Sequence, residues 1–275
     1  MTSGHNHLNK SIGSERIAKV IARAGLCSRR DAERWILDGR VSVNGKMLDT
    51  PAFTVGPADR VVVDGRPLPV VQAPRLFLYH KPTGLVTTAR DEKGRPTVFA
   101  HLPHGLPRVV SVGRLDINSE GLLLLTNDGG LARYLELPAN ALKRCYRVRL
   151  HGPVDLARIA RLSQGITVEG VRYGPMEARL EGHSSGSNQW LVLTLKEGKN
   201  REIRKVMAHL GLQVNRLIRT SYGPFQLGQL PPGAAVEVSS NTLQEKLPGY
   251  FDRSSQPQSV QQNRQHRPTR NESPN

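Results

Sequence analysis

Cysteine is almost absent: Cys27 and Cys145 stand far apart in 275 residues, with no Cys-x-x-Cys or paired-histidine spacing. That supports neither a disulfide framework nor a zinc site. Long apolar runs are missing too. No stretch approaches a transmembrane span, and Met1 to Ser14 is polar with no signal-peptide core, so a cytoplasmic protein with no membrane partner is expected. Aromatic residues are few, at 5%. Acidic residues are outnumbered, 23 against 39 Lys and Arg, for a formal charge of +16. Such an excess points to a polyanionic partner bound in a salt-dependent way. The length allows one large or two modest domains.

The chain is organised around residues 113–129, Gly-Arg-Leu-Asp-Ile-Asn-Ser-Glu-Gly-Leu-Leu-Leu-Leu-Thr-Asn-Asp-Gly. Val109 to Val112 reads as a strand, followed by a polar loop carrying Asp116 and an apolar run closed by an Asn-Asp-Gly-Gly turn. A carboxylate on a loop between two buried strands is placed as catalytic groups commonly are. The plainer reading is an Asp capping its own turn. A calcium loop fits poorly, because its closing Glu would fall at Asn127.

Upstream, Ile17, Val20, Ile21 and Ala24 recur at helical spacing, with Arg16, Lys19 and Arg23 on another face. Ser28 can cap a second helix carrying Arg29, Arg30 and Arg34 and stopped by Gly39. Val41 and Val43 then lead into Asn44-Gly45, a hairpin signal, and Val61 to Val63 supplies another strand before Asp64-Gly65. Ordinary solvated charge is the plain account of these arginines; contact with RNA phosphates is the alternative, favoured because two successive helices both present them.

After a linker at residues 72–74, Leu76 to Tyr79 begins a strand and His80-Lys81-Pro82-Thr83-Gly84 turns the chain. Residues 90–97 read as a basic surface loop, either beside bound RNA or simply solvated, and His101 and His104 have no feature marking them as ligands or bases. Leu131 to Leu137 and Val154 to Leu162 are helix candidates, and residues 181–188 a flexible loop. Between them, residues 143–150 alternate, with Tyr146, Val148 and Leu150 on one face. Leu191 to Leu195 makes a buried strand, followed by a helix with Ile203, Val206, Met207 and Leu210 on its apolar side and Asn200 as cap. From Tyr250 the chain is polar and basic, too poor in apolar residues to order itself.

Two groups of motifs resemble known families. Residues 22–46, with Ala-Arg-Ala-Gly-Leu-Cys-Ser-Arg-Arg-Asp-Ala-Glu-Arg-Trp-Ile and Gly-Arg-Val-Ser-Val-Asn-Gly-Lys, resemble the S4 RNA-binding domain. The 113–129 phrase, Lys81-Pro82-Thr83-Gly84, and Glu197-Gly-Lys-Asn-Arg-Glu-Ile-Arg204 resemble the ribosomal RNA pseudouridine synthases of the RsuA/RluB branch, Ser119 standing where the family often has Thr. The resemblance is nearest to the large-subunit members, through Gln189-Trp190 and the segment after it and through the 90–97 loop.

It implies an α+β fold: a small N-terminal S4 domain (14–72) and a catalytic pseudouridine synthase domain (76–249) on a mostly antiparallel mixed sheet, with a disordered N-terminus (1–13) and a disordered basic tail (250–275). It further implies that Asp116 is the essential nucleophile or base, Tyr146 stacks on the target base, and Arg204 pairs with the carboxylate. Leu217 would line the uracil pocket, and Arg114, Lys199, Asn200, Arg201 and the S4-domain residues Arg16, Lys19, Arg23, Arg29, Arg30 and Arg34 would touch RNA. A Tyr at 146 suits a core equally well, and Arg204 could be a surface ion pair.

The implied reaction breaks N1–C1′ of a uridine and rejoins the base through C5, a relative of glycoside cleavage that must keep water out. A buried carboxylate there needs a cation beside it, because burial alone favours its neutral form. No metal or cofactor is called for. The expected partner is 23S ribosomal RNA or a pre-ribosomal particle, bound by a monomer; 16S RNA, a non-catalytic S4-type assembly factor, or a nucleosidase or nuclease are the alternatives.

Overall fold

Two turns shape the N-terminal part. In Asn44-Gly45 and Asp64-Gly65 both residues have positive φ (52° and 81°, 49° and 76°), the backbone that two-residue hairpins require. They fold Val41–Val43 onto Lys46–Met47 and Val61–Val63 onto Arg66–Pro67, in a four-stranded sheet. In this computed structural model, which describes residues 14–182 and 188–255, the helices Ile17–Arg23 and Arg29–Leu37 pack on that sheet through Ile17, Ile21, Ile36, Val41 and Val63. Ser28 caps the second helix as its position predicts, accepting from the Asp31 amide at 3.1 Å.

The larger part is a nine-stranded sheet. Its main path runs Met176–Glu181, Asn188–Leu195, Arg144–His151, Gln213–Tyr222, Glu120–Thr126, Leu76–Lys81, Ala235–Val238. One junction is parallel, where Ile218 and Arg219 lie beside Glu120 and Gly121; every other pairing in this sheet is antiparallel. The expected mostly antiparallel mixed sheet is what the chain forms.

Along Glu120–Thr126 all seven residues are buried. Leu123 and Leu125 join the core of Tyr146, Val148, Leu191 and Leu193, while Leu122 and Leu124 face the helices Gly129–Glu136 and Ser240–Lys246. The apolar run is thus a strand covered on both sides. The Asn-Asp-Gly-Gly segment does more than turn: Asp128 caps the next helix, accepting from the Leu131 amide at 2.7 Å, so the helix starts at Gly129 rather than Leu131.

Two expectations need correction. The segment from Tyr250 begins inside a helix, Pro248–Ser255. The Tyr250 hydroxyl donates to Asp128 at 2.9 Å and its ring meets Tyr134 at 5.4 Å, contacts that dock the helix. The helix after Leu195 is Glu202–His209, and Arg201, not Asn200, stands at its N-terminal boundary with no capping side chain. Residues 1–13, residues 183–187 of the expected loop and residues 256–275 of the expected tail lie outside the described residues.

Gly121 is the tightest point of the parallel junction. Its φ is +103°, and a Cβ there would sit 2.3 Å from the Arg219 carbonyl oxygen and 2.7 Å from its nitrogen, both backbone atoms. Gly121→Ala should therefore cost more than about 3 kcal/mol in urea unfolding; a loss below 1 kcal/mol (about the scale of an ordinary surface change) would contradict this packing.

Candidate active site

The Asp116 loop is held by its backbone. Every main-chain carbonyl from Leu115 to Ser119 accepts a hydrogen bond from outside the loop. Thr87 Oγ1 donates to Leu115 at 2.8 Å, the Gly84 amide to Ile117 at 2.8 Å, and Arg204 Nη2 to Asn118 at 2.8 Å. Lys81 Nζ reaches three carbonyls, Ser119 at 2.8 Å, Pro82 at 3.0 Å and Asp116 at 3.2 Å. The Lys-Pro-x-Gly turn thus supplies two of the loop's anchors. Within the loop, the Ser119 amide donates back to the Asp116 carbonyl at 3.0 Å.

The Asp116 side chain makes none of these bonds, so it is not a turn cap. It is 30% exposed, opening into a cleft of about 990 Å³ lined also by Arg114, Tyr146, Lys199, Asn200, Arg201, Arg204 and Leu217. All eight expected residues of this region are therefore in one cavity. Tyr146 and Leu217 are 8% and 6% exposed and present side chains from neighbouring strands.

The cation nearest the carboxylate differs from expectation. Arg201 Nη1 lies 3.7 Å from Asp116 Oδ2, whereas Arg204 gives its guanidinium to the carbonyls of Asn118 and Val214, the latter at 3.0 Å. Arg201 sits in left-handed backbone (φ 49°) just before the helix, which turns its side chain into the cleft; Arg204, one turn on, faces the loop's main chain. Burial lowers the Arg204 pKa, the Arg201 charge lowers it further, and Asp116 pulls it back up, so Arg204 still feels the carboxylate.

Lys199 is exposed and bound to the Arg172 carbonyl and the Glu197 carboxylate. The S4-domain residues are not part of this cleft. Arg16, Arg29, Arg30 and Arg34 are exposed, Arg34 pairing with Asp31, and Lys19 and Arg23 share Glu15.

Four cleft or loop-supporting residues have no role assigned from the sequence: Lys81, which enters there only as part of a turn motif, Arg144, Arg219 and Tyr222. Arg144 donates to the carbonyls of Lys196 and Glu197 and to the Tyr222 hydroxyl at 2.8 Å, while that hydroxyl donates to Leu135 at 3.0 Å. Arg219 Nε donates to the Leu122 carbonyl at 2.7 Å. A signal was available: Lys81 shares the inward parity of Phe77 and Tyr79, and Arg144 that of Tyr146 and Val148.

Residues 75–209 match the model of the RNA pseudouridylate synthase family and residues 15–61 that of the S4 domain. An uncharacterized RNA pseudouridine synthase of Rickettsia felis is 47% identical over 84% of this chain and its own full length. The chain belongs to the RNA pseudouridine synthase family. Ribosomal large subunit pseudouridine synthase B of Pasteurella multocida is 41% identical over 84% of this chain and 68% of that protein. The crystal structure of a pseudouridylate synthase superposes with a TM-score of 0.59 at 27% identity, covering 84% of this chain and 99% of the other. This pseudouridine synthase is accordingly an isomerase acting on RNA uridine, with an S4 module ahead of its catalytic sheet.

Lys81 is fully buried, and burial lowers its pKa to about 8, with Asp116 and Glu120 pulling it back up. Below pH 8 the ammonium has a hydrogen for each of its three carbonyls; above it the neutral amine has only two. Activity should therefore fall as pH rises through about 8. Lys81→Met should lower kcat by about 100-fold or more, as for a misplaced reacting group, while RNA affinity changes little. An unchanged kcat would show that the loop does not need this lysine.

Proposed function

We propose that this pseudouridine synthase isomerises a specific uridine of large-subunit ribosomal RNA in the cytoplasm, with Asp116 as the reacting carboxylate. The substrate class rests on the names of relatives such as the Pasteurella multocida enzyme. Among the described residues no helix is long and apolar enough to cross a membrane. The observation that supports Asp116 is the contrast within its loop: the backbone is bonded at every carbonyl, while the carboxylate makes no hydrogen bond among the described residues and stands in the cleft near Arg201, Tyr146 and Leu217.

The chemistry follows from that position. The target nucleotide leaves its stack, at a cost of roughly a few kcal/mol, and enters the cleft with its base against Tyr146. Stacking on an aromatic ring returns about 1–3 kcal/mol. As the C1′–N1 bond breaks, Asp116 either bonds to C1′ or removes the proton at C2′. The detached uracil turns within the walls of Tyr146 and Leu217, and C5 bonds to C1′ as the Asp116 carboxylate leaves C1′ or returns its proton to C2′; the C5 proton then leaves and N1 is protonated. Arg201 places a positive charge beside Asp116, and the filled cleft excludes the water that would hydrolyse the sugar. Arg114 at the rim holds the flipped nucleotide or its neighbour, and Lys199 and Asn200 contact the RNA beside it. The S4 module, through Arg16, Arg29, Arg30 and Arg34, positions RNA by phosphate and shape. The enzyme acts as a monomer on the RNA or a pre-ribosomal particle.

Asp116→Asn should leave folding and RNA binding nearly intact and abolish tritium release from C5-labelled uridine in ribosomal RNA; residual release at the wild-type rate would refute the assignment. Tyr146→Phe should keep RNA affinity, whereas Tyr146→Ala should weaken it by about 1–3 kcal/mol. Equal affinities for the two variants would exclude stacking.

A further inference from the structure

The cleft and the helix Glu202–His209 occupy one face of the strands Met176–Glu181, Asn188–Leu195, Arg144–His151 and Gln213–Tyr222; the opposite face carries a different set of side chains. Register aligns them in rows. One row reads Glu181, Trp190, Arg149, Arg216 and the next Arg179, Val192, Arg147, Ile218. Arg149, Arg179 and Arg216 are exposed, and Arg147, Trp190 and Val192 half-buried.

Its charges do not balance. The acids of this region are already matched: Glu177 with Lys143, Glu181 with Arg147, Glu120 with Arg216. Arg149 and Arg179 have no carboxylate partner among the described residues. Arg149 lies directly opposite Arg216, and like charges in that position oppose sheet pairing. The fold gains nothing from such a pair, but a polyanion laid across it would. The face also has an aromatic element, since the Arg147 guanidinium lies over the Trp190 ring at 4.7 Å. A guanidinium supported on an indole offers a planar surface on which an unpaired base can stack. Trp190 belongs to the Gln-Trp pair that the cleft does not use.

We propose that this outer face is a second RNA-binding surface, taking a single-stranded segment of the ribosomal RNA remote from the reacting uridine, with its phosphates on Arg149 and Arg179 and a base on the Arg147–Trp190 layer. The proposal rests on the family's RNA substrate and not on the role of Asp116. It gives the enzyme a grip on large RNA that a minimal hairpin does not engage.

The test compares the full chain with R149E/R179E and W190A, using a large-subunit ribosomal RNA transcript and a short hairpin cut from around the uridine that the parent enzyme converts in that transcript. R149E sets an acid opposite Arg216, so the melting temperature should hold or rise, separating lost binding from lost folding. R149E/R179E should bind the transcript about tenfold or more weaker, with a salt slope shallower by about 1.4, the share of two phosphates on a single strand. Turnover of the hairpin should be unchanged in both variants, which reports on the active site separately. W190A should weaken transcript binding even at salt that screens the arginines. Wild-type affinity for the transcript in R149E/R179E would overturn the proposal, as would equal losses on transcript and hairpin. Unchanged binding to naked RNA with weaker binding to a protein-containing pre-ribosomal particle would assign the face to a protein and also overturn it.

Discussion

The structure depends on cations bonded to carbonyls. Lys81 and Arg204 do not neutralise Asp116 directly; they fix the main chain on either side of it, Lys81 through Asp116 and Ser119, Arg204 through Asn118. Burying an ammonium is costly unless it is hydrogen-bonded, and three carbonyls within 3.2 Å meet that condition. The result is a loop whose backbone is specified from two elements while its one reactive side chain is left unbonded. A reacting group held this way needs little reorganisation when substrate arrives.

The sheet extends this arrangement to the rest of the cleft. Tyr146 and Leu217 stand on strands joined to each other, and the parallel junction at Gly121 brings the Asp116 loop against them. Arg144 ties the same sheet to the carbonyls of Lys196 and Glu197, just ahead of Arg201. The loop, the aromatic wall and the cationic wall are therefore connected through one hydrogen-bonded framework. The N-terminal module has its own core, built from Ile17, Ile21, Ile36 and Val41, and its exposed arginines lie apart from the cleft.

Much of this was legible in the sequence because it rests on local chemistry. Asn44-Gly45, the Ser28 cap and the Leu122–Leu125 run each declare their own conformation. The cleft members Asp116, Tyr146 and Leu217 were found through motif resemblance, and alternation alone left Tyr146 between core and site. Which arginine reaches the carboxylate was not legible: Arg201 and Arg204 are one turn apart, and the choice depends on how the helix sits against the loop. Lys81 is hidden because the Lys-Pro-Thr-Gly sequence reads as a turn after Tyr79, whereas the strand runs on to Lys81, and Arg144 because a charge in an alternating strand draws the eye before its inward parity does. The helix at Pro248–Ser255 was missed because Tyr250 finds its partners, Asp128 and Tyr134, far away in the chain.

The central claim, that donors to the carbonyls hold the Asp116 loop in place, is tested most directly by backbone amide hydrogen exchange across residues 113–126 in Arg204→Gln, a change that preserves helix propensity and removes the guanidinium. Faster exchange confined to the Asp116–Ser119 loop, with the strand Glu120–Thr126 as protected as in the parent enzyme, is the predicted result. Loop exchange indistinguishable from the parent would contradict the account.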